Sequence, residues 1–230
     1  MNVLIIGGST DIGINLAKYL TKYNYNVIIT YNSHLINDTD IKSIKCDITK
    51  ENEIEKTINY VINNYGKLDI LINMAAISID GNYELLSKEE FMNVLEVNLV
   101  GTFLTSKIYS KYVSDGLIIN IGSTDGIDTY SRYSVFYSAS KAGVINLTKS
   151  MSLGLNNKVL CVAPNWIDSD TTRDINQEYL MSELERINQG RLITISEFCD
   201  GIYKIINSDN ETGSIFRMDI RDDKLWIEKI

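Results

Sequence analysis

Short apolar runs alternate along this chain with segments whose apolar residues recur at helical spacing. Met1 to Ile6 (MNVLII) is β-branched and apolar, which reads as a buried strand. It leads through Gly7-Gly8-Ser9-Thr10-Asp11-Ile12-Gly13 into a segment with Ile12, Leu16, Ala17 and Leu20 on one helical face. Asn26 to Tyr31 predicts the second strand and Ile41 to Cys46 the third. Ile54, Ile58, Ile62 and Tyr65 mark a helix, and the strand Asp69 to Asn73 follows it. One long helix is predicted from about Ser87 to Tyr112, then a fifth strand, Gly116 to Ile121. A helix over Val135 to Leu155 precedes a sixth strand, Lys158 to Ala163. A last helix over Ser196 to Ile206 and a seventh strand, Gly213 to Met218, close the pattern. Such alternation predicts an α/β fold, a doubly wound and mostly parallel seven-stranded sheet with helices on both faces. No Pro/Gly/Ser-rich linker or repeat interrupts it, so residues 1–230 are expected to form a single domain.

Composition narrows the function. The net charge of −8, with no long basic run, argues against nucleic-acid or acidic-membrane partners. Cys46, Cys161 and Cys199 lack metal-ligand spacing and read as reduced, mostly buried thiols, so no metal is expected. No stretch has membrane-spanning length and the N-terminus already reads as a strand, so a cytoplasmic protein is expected.

The candidate chemistry sits in Tyr137-Ser138-Ala139-Ser140-Lys141. Residues four apart share a helix face, and an ammonium beside a phenol favours the phenolate. A tyrosine tuned in this way can exchange a proton with a substrate oxygen near neutral pH. Ser123, closing the fifth strand, and Asn98, late in the long helix, are polar residues expected to converge on it. The strand, glycine-rich turn and helix at the N-terminus form the dinucleotide-binding arrangement, with the helix N-terminus facing a pyrophosphate. Asp11 stands within that turn, where its carboxylate can cap the helix.

Together these motifs resemble the short-chain dehydrogenase/reductase family in its compact form, nearest to 3-oxoacyl-carrier-protein reductase-like members. Gly7, Asp11 and Gly13 stand at the three glycine positions of the family's cofactor turn. Asn73-Met74-Ala75-Ala76 resembles its Asn-Asn-Ala-Gly motif, and Pro164-Asn165 its Pro-Gly motif. Asparagine reaches left-handed backbone conformations more easily than most residues, which makes Asn165 a mild replacement for glycine. The resemblance implies a Rossmann fold and a catalytic set of Asn98, Ser123, Tyr137 and Lys141. Tyr137 is then the general acid/base, with Lys141 depressing its pKa and binding the nicotinamide ribose. Ser123 holds the substrate oxygen and Asn98 anchors a water. Gly7, Ser9, Thr10, Asp11, Ile12 and Gly13 are implied at the pyrophosphate, and Asp47, Ile48, Asn73 and Ala75 on the adenosine side. Pro164, Ile167 and Ser169 are implied near the nicotinamide.

The expected activity is NAD(P)(H)-dependent hydride transfer between nicotinamide and a small-molecule carbonyl or secondary alcohol. A non-catalytic NAD(P)-binding sensor or scaffold is the alternative. After the second strand, Tyr31, Asn32, Ser33 and His34 include no carboxylate to bind ribose hydroxyls. That favours NADP and leaves NAD open, since no lysine or arginine stands there either. Residues 166–191 are expected to form the substrate lid. Tyr130, Tyr133, Phe136 and Trp166 could line the pocket or simply pack. A homodimer or homotetramer is expected, with the helices near Phe103 and Val144 as a dimer face. Asp219-Ile220-Arg221 and a polar tail put association through the last strand in doubt.

Overall fold

The computed structural model describes residues 1–33 and 40–230; His34 lies outside the described residues. The parallel strands are β1 (Asn2–Ile6), β2 (Asn26–Tyr31), β3 (Lys42–Lys45), β4 (Ile70–Asn73), β5 (Leu117–Ile121), β6 (Lys158–Pro164) and β7 (Ile215–Arg221). They lie in the order β3-β2-β1-β4-β5-β6-β7. After Asn2, β1 is unbroken by polar residues because it is buried on both faces. Val3 and Ile5 join Leu16, Leu20, Phe198 and Ile202, from helices α1 (Asp11–Lys22) and α8 (Ile195–Ile206). Leu4 and Ile6 face the opposite layer with Ile54, Ile58, Ile108 and Tyr109, from α2 (Glu51–Tyr65) and α4 (Thr102–Tyr112).

The sheet has an eighth strand where the sequence pattern predicts none. β8 (Lys224–Lys229) pairs antiparallel with β7, with Ile220 opposite Leu225. The two turn residues between them, Asp222 and Asp223, have φ of 49° and 58°. Positive φ at both central positions marks the hairpin turn whose twist matches the strands. Leu225 and Ile227 pack on the core while Lys224, Trp226 and Glu228 point outward, so the edge strand reads as a polar tail.

The long helix predicted over Ser87–Tyr112 is also interrupted. α3 (Lys88–Leu95) passes into a π-helical turn over Glu96–Gly101 and then into α4. At Gly101 a Cβ would lie 2.5 Å from Ile48 Cδ1, so a side chain there would collide with the β3–α2 connection. Helix α5 (Val135–Met151) crosses this region, and α6 (Asp170–Arg173) and α7 (Gln177–Arg186) occupy the predicted lid. The strand order reverses between β1 and β4, and ligands of such sheets bind beyond the carboxyl ends of the strands at that switch. Among the described residues no helix is long and apolar enough to cross a membrane.

Candidate active site

The turn after β1 is built for close approach. Gly7 has φ +74°, and a Cβ on it would stand 2.4 Å from the Ala75 Cα beyond β4. A Cβ on Gly13 would stand 2.5 Å from the Gly8 Cα. Both glycines therefore let the start of α1 close onto the strand ends. Thr10 caps α1, its Oγ1 accepting from Gly13 N at 3.2 Å. The expectation that Asp11 provides the cap is corrected: it is the first helical residue. Its Oδ1 accepts from Ile12 N at 2.8 Å and its Oδ2 from Asp170 N at 2.8 Å. Asn165 is corrected too, since it is not among the positive-φ residues. Its side chain donates to Asp219 Oδ1 at 2.9 Å and accepts from Trp166 N at 2.9 Å, contacts glycine could not make.

Tyr137 and Lys141 lie one turn apart on α5, and the Lys141 Nζ sits 5.4 Å from the Tyr137 ring centre. Lys141 is buried and donates to the Ile121 carbonyl at 2.7 Å, at the end of β5. Burial lowers its pKa to about 8. Ser123, two residues past β5, is buried beside them, and its Oγ accepts from Asp125 N at 3.1 Å. The Tyr137 phenol is pushed up, first by burial and then by the negative charge of Asp125. Its interaction with the Ser123 hydroxyl pulls the other way. The net direction at the phenol is therefore upward, set first by burial.

Asn98 is fully committed. Its Oδ1 accepts from Ile77 N at 2.8 Å, and its Nδ2 donates to Ile77 O at 2.9 Å and Ser140 Oγ at 3.0 Å. Ser140 Oγ donates in turn to the Tyr137 carbonyl at 2.7 Å. Asn98 thereby ties the π turn and the segment after β4 to the helix that carries Tyr137. Its own carbonyl accepts from Thr102 Oγ1 at 2.7 Å.

The other predicted cofactor residues fall into two groups. Tyr31 ends β2, Asn32 and Ser33 follow it exposed, and Pro164 ends β6. Ser9 lies in the β1–α1 turn. Asp47 accepts from Thr49 N at 3.0 Å and Thr49 Oγ1 at 2.8 Å; these bonds outweigh partial burial and hold its carboxyl low. Ile48 is core. The Asn73 side chain points inward, donating to Ser106 Oγ and Asn120 Oδ1, both at 2.9 Å, and accepting from Thr105 Oγ1 at 2.8 Å. Only its backbone is left for an adenosine contact. Ile167 is buried and bridges to Ile193, while Ser169 caps α6 with its Oγ accepting from Thr172 N at 3.3 Å.

Sequence reasoning overlooked a second tier. Asp125 is buried and accepts from Thr129 Oγ1 at 3.0 Å and Ser134 Oγ at 3.2 Å, joining the Ser123 loop to the start of α5. Its signal was a carboxylate two residues beyond a strand-end serine. Helix α7 docks on the same loop: Tyr179 Oη lies 2.8 Å from Ser131 Oγ, and Arg186 donates to the Thr129 carbonyl at 3.2 Å. Tyr133 meets Tyr179 edge-on, Phe136 stacks on Phe91 as packing, and Tyr130 is exposed. Among the described residues no cluster of His, Cys, Asp and Glu could hold a metal.

This geometry, a glycine-cradled turn at the switch point facing a tyrosine–lysine pair, defines a class that comparison with known proteins bears out. The family model described as short chain dehydrogenase matches residues 1–180. Carbonyl reductase family member 4 of Xenopus laevis is 33% identical over 227 residues, covering 94% of both chains. The 3-oxoacyl-[acyl-carrier-protein] reductase of Homo sapiens is 28% identical over 228 residues, again covering 94% of each. A solved structure, ElxO with NADP bound, superposes with a TM-score of 0.78 at 29% identity, covering 94% of this chain and 96% of its own. The chain belongs to the short-chain dehydrogenase family and is an NAD(P)-dependent oxidoreductase of small molecules.

Proposed function

We propose that this protein reduces a carbonyl, or oxidises the corresponding secondary alcohol, with Tyr137 as general acid/base and NADP(H) as the preferred cofactor. The observation that carries this reading is the convergence of Tyr137, Ser123 and a fully buried Lys141 at the end of β5. A buried lysine is costly unless its charge has a use.

The site fits a dinucleotide. Gly7 and Gly13 leave no room for side chains along the approach to the turn, and α1 offers first-turn N–H donors and a positive dipole end. Ser9, Thr10 and Ile12 would hold the pyrophosphate; Tyr31, Asn32 and Ser33 the adenosine ribose; Asp47, Ile48 and Ala75 the adenine side. Pro164, Ile167 and Ser169 would border the nicotinamide. When bound, the nicotinamide supplies or accepts the hydride.

The remaining steps belong to the chain. The Ser123 hydroxyl holds the substrate oxygen at the strand end and polarises it. Burial and Asp125 keep the Tyr137 phenol protonated, so it is poised to donate that proton as the carbonyl oxygen gains electron density. The phenolate left behind faces the Lys141 ammonium, which offsets its charge. In oxidation the same phenolate takes the alcohol proton. Asn98 positions Tyr137 through Ser140.

Preference for NADP rests on the absence of a carboxylate in Tyr31-Asn32-Ser33, and the similar ElxO is seen with NADP. The chain is proposed to act as a homodimer through α4 and α5. Val100 in the π turn and Phe103 in α4 are 43% and 41% exposed, and with Leu99 and Leu147 they rim an apolar groove beside α5. Val144 is buried and takes no part in that surface. β8 covers the outer edge of β7, so association through the last parallel strand would have to engage β8 instead.

The test is substrate-dependent NADPH and NADH oxidation across a ketone panel, with wild type and Tyr137→Phe. Wild type is expected to prefer NADPH and the variant to lose roughly 10²-fold or more in kcat, the usual scale for a proton-transfer residue. Activity unchanged in Tyr137→Phe would overturn the assignment of the acid.

A further inference from the structure

Asp11 is the least expected residue of the cofactor turn, and its contacts are specific. One carboxylate oxygen accepts from Ile12 N at the start of α1, and the other from Asp170 N at the start of the lid helix α6, each at 2.8 Å. Two helix N-termini therefore converge on one carboxylate. Helix N-termini are anion-binding positions because their first N–H groups lack helical acceptors and carry partial positive charge. Here the anion comes from the chain itself.

Among the described residues, the ion pairs seen do not include Asp11. Arg173 is the cation facing this corner, and it is engaged by neighbours, its Nε 2.9 Å from Asp168 Oδ1 and its Nη1 3.2 Å from Asp170 Oδ1. A pyrophosphate at this turn would meet Asp11 as a like charge, and would find the Ile12 N–H already taken.

We infer that Asp11 is an internal competitor for the dinucleotide's pyrophosphate, one that holds α6 against the turn and sets cofactor affinity. The inference rests on the dinucleotide reading above. Binding requires the carboxylate to leave Ile12 N, and that movement also breaks its bond to Asp170 N. Cofactor binding is thereby coupled to release of the lid's first helix, and the coupling is reciprocal: whatever loosens α6 favours the cofactor. The residue thus acts on affinity for both cofactors, not on the choice between them, since it lies at the pyrophosphate they share.

The experiment is calorimetric titration of the full chain, as wild type, Asp11→Asn and Asp11→Gly, with NADPH, NADH and phosphate-free adenosine. Asp11→Asn keeps an oxygen able to accept one N–H bond, and thermal melts confirm that each variant is folded. Both variants are expected to bind both dinucleotides about tenfold more tightly or better, the scale of one nearby like charge removed. Adenosine binding is expected to stay unchanged, and added salt is expected to narrow the gap by screening the repulsion. Variants that bind dinucleotide as wild type does, or more weakly, overturn the role of Asp11 and leave the dinucleotide reading intact. A gain that adenosine shares overturns it as well, because repulsion of a pyrophosphate cannot act on a ligand without one. If no form binds either dinucleotide, the dinucleotide reading itself fails and this inference with it.

Discussion

Replacing Asp125 by asparagine isolates the charge that opposes ionisation of Tyr137. The shape is kept, and the amide oxygen can still accept from Thr129 or Ser134, whose hydroxyls reach the carboxylate at 3.0 and 3.2 Å. Ser134 lies three residues before Tyr137, one helical turn away, which puts the charge ~7 Å from the tyrosine side chain. At that separation and an effective dielectric of ~20, two unit charges interact by about 2 kcal/mol, equivalent to between one and two pH units. Ser123 and Asp80 also act on the phenol and are unchanged by the substitution, so the difference reports Asp125. Its removal lowers the Tyr137 pKa. In reduction, the rate falls as the phenol loses its proton, so the alkaline limb moves to lower pH. In oxidation, the rate rises as the phenolate forms, and that limb moves down by the same amount. The assay is the pH dependence of kcat/KM in both directions. Ultraviolet difference titration of tyrosinate, referenced to Tyr137→Phe, gives the shift without substrate. Burial raises the carboxyl pKa of Asp125 itself, so its charged form weakens the fold as pH rises through the folded value. Asp125→Asn is therefore expected to be at least as stable as wild type at neutral pH. Limbs that stay in place, or that move to higher pH, would refute the electrostatic coupling.

Two further outcomes test the supports of the site. Asn73→Leu removes three side-chain hydrogen bonds from a buried polar cluster and leaves Asn120 Oδ1 and Ser106 Oγ without the Asn73 donor; urea unfolding should show a loss of about 2–4 kcal/mol. Glu197 is held at about 2, chiefly by the bidentate Arg191 beside it. Its folded pKa is depressed, so its contribution is present above the ordinary glutamate value and is lost as pH falls toward 2. For a pair this exposed it should amount to about 1 kcal/mol, seen as a smaller acid-induced loss of stability in Glu197→Gln.

The central parallel strands were legible because burial on both faces writes unbroken apolar runs such as Val3-Leu4-Ile5-Ile6 into the chain. β8 was hidden because an edge strand has one solvated face. Its only marks are Leu225 and Ile227 in alternation, and two aspartates where Asn-Gly would signal the turn more clearly. The π turn was hidden for a different reason. Its apolar periodicity continues across the insertion, and the distortion accompanies contacts of Asn98 with Ile77 and Ser140, which are distant in sequence.

The same distinction explains what could be foreseen of the site. Tyr137 and Lys141 could be placed together from helical spacing alone, but the electrostatics of the pair depend on what surrounds it. Burial acts on the phenol and the amine in opposite directions, raising one pKa and lowering the other. Both shifts favour neutral partners, whereas the proposed chemistry passes through a phenolate and an ammonium. Bringing the pair into its charged form therefore requires interactions that appear as the substrate oxygen takes the proton, which is where Ser123 and the Lys141 charge act together. Asp125 adds a negative charge on the side that resists this change. Its charge raises the pH at which Tyr137 ionises, so in the proposed chemistry it keeps the proton donor of reduction loaded over a wider pH range and moves formation of the base used in oxidation to higher pH.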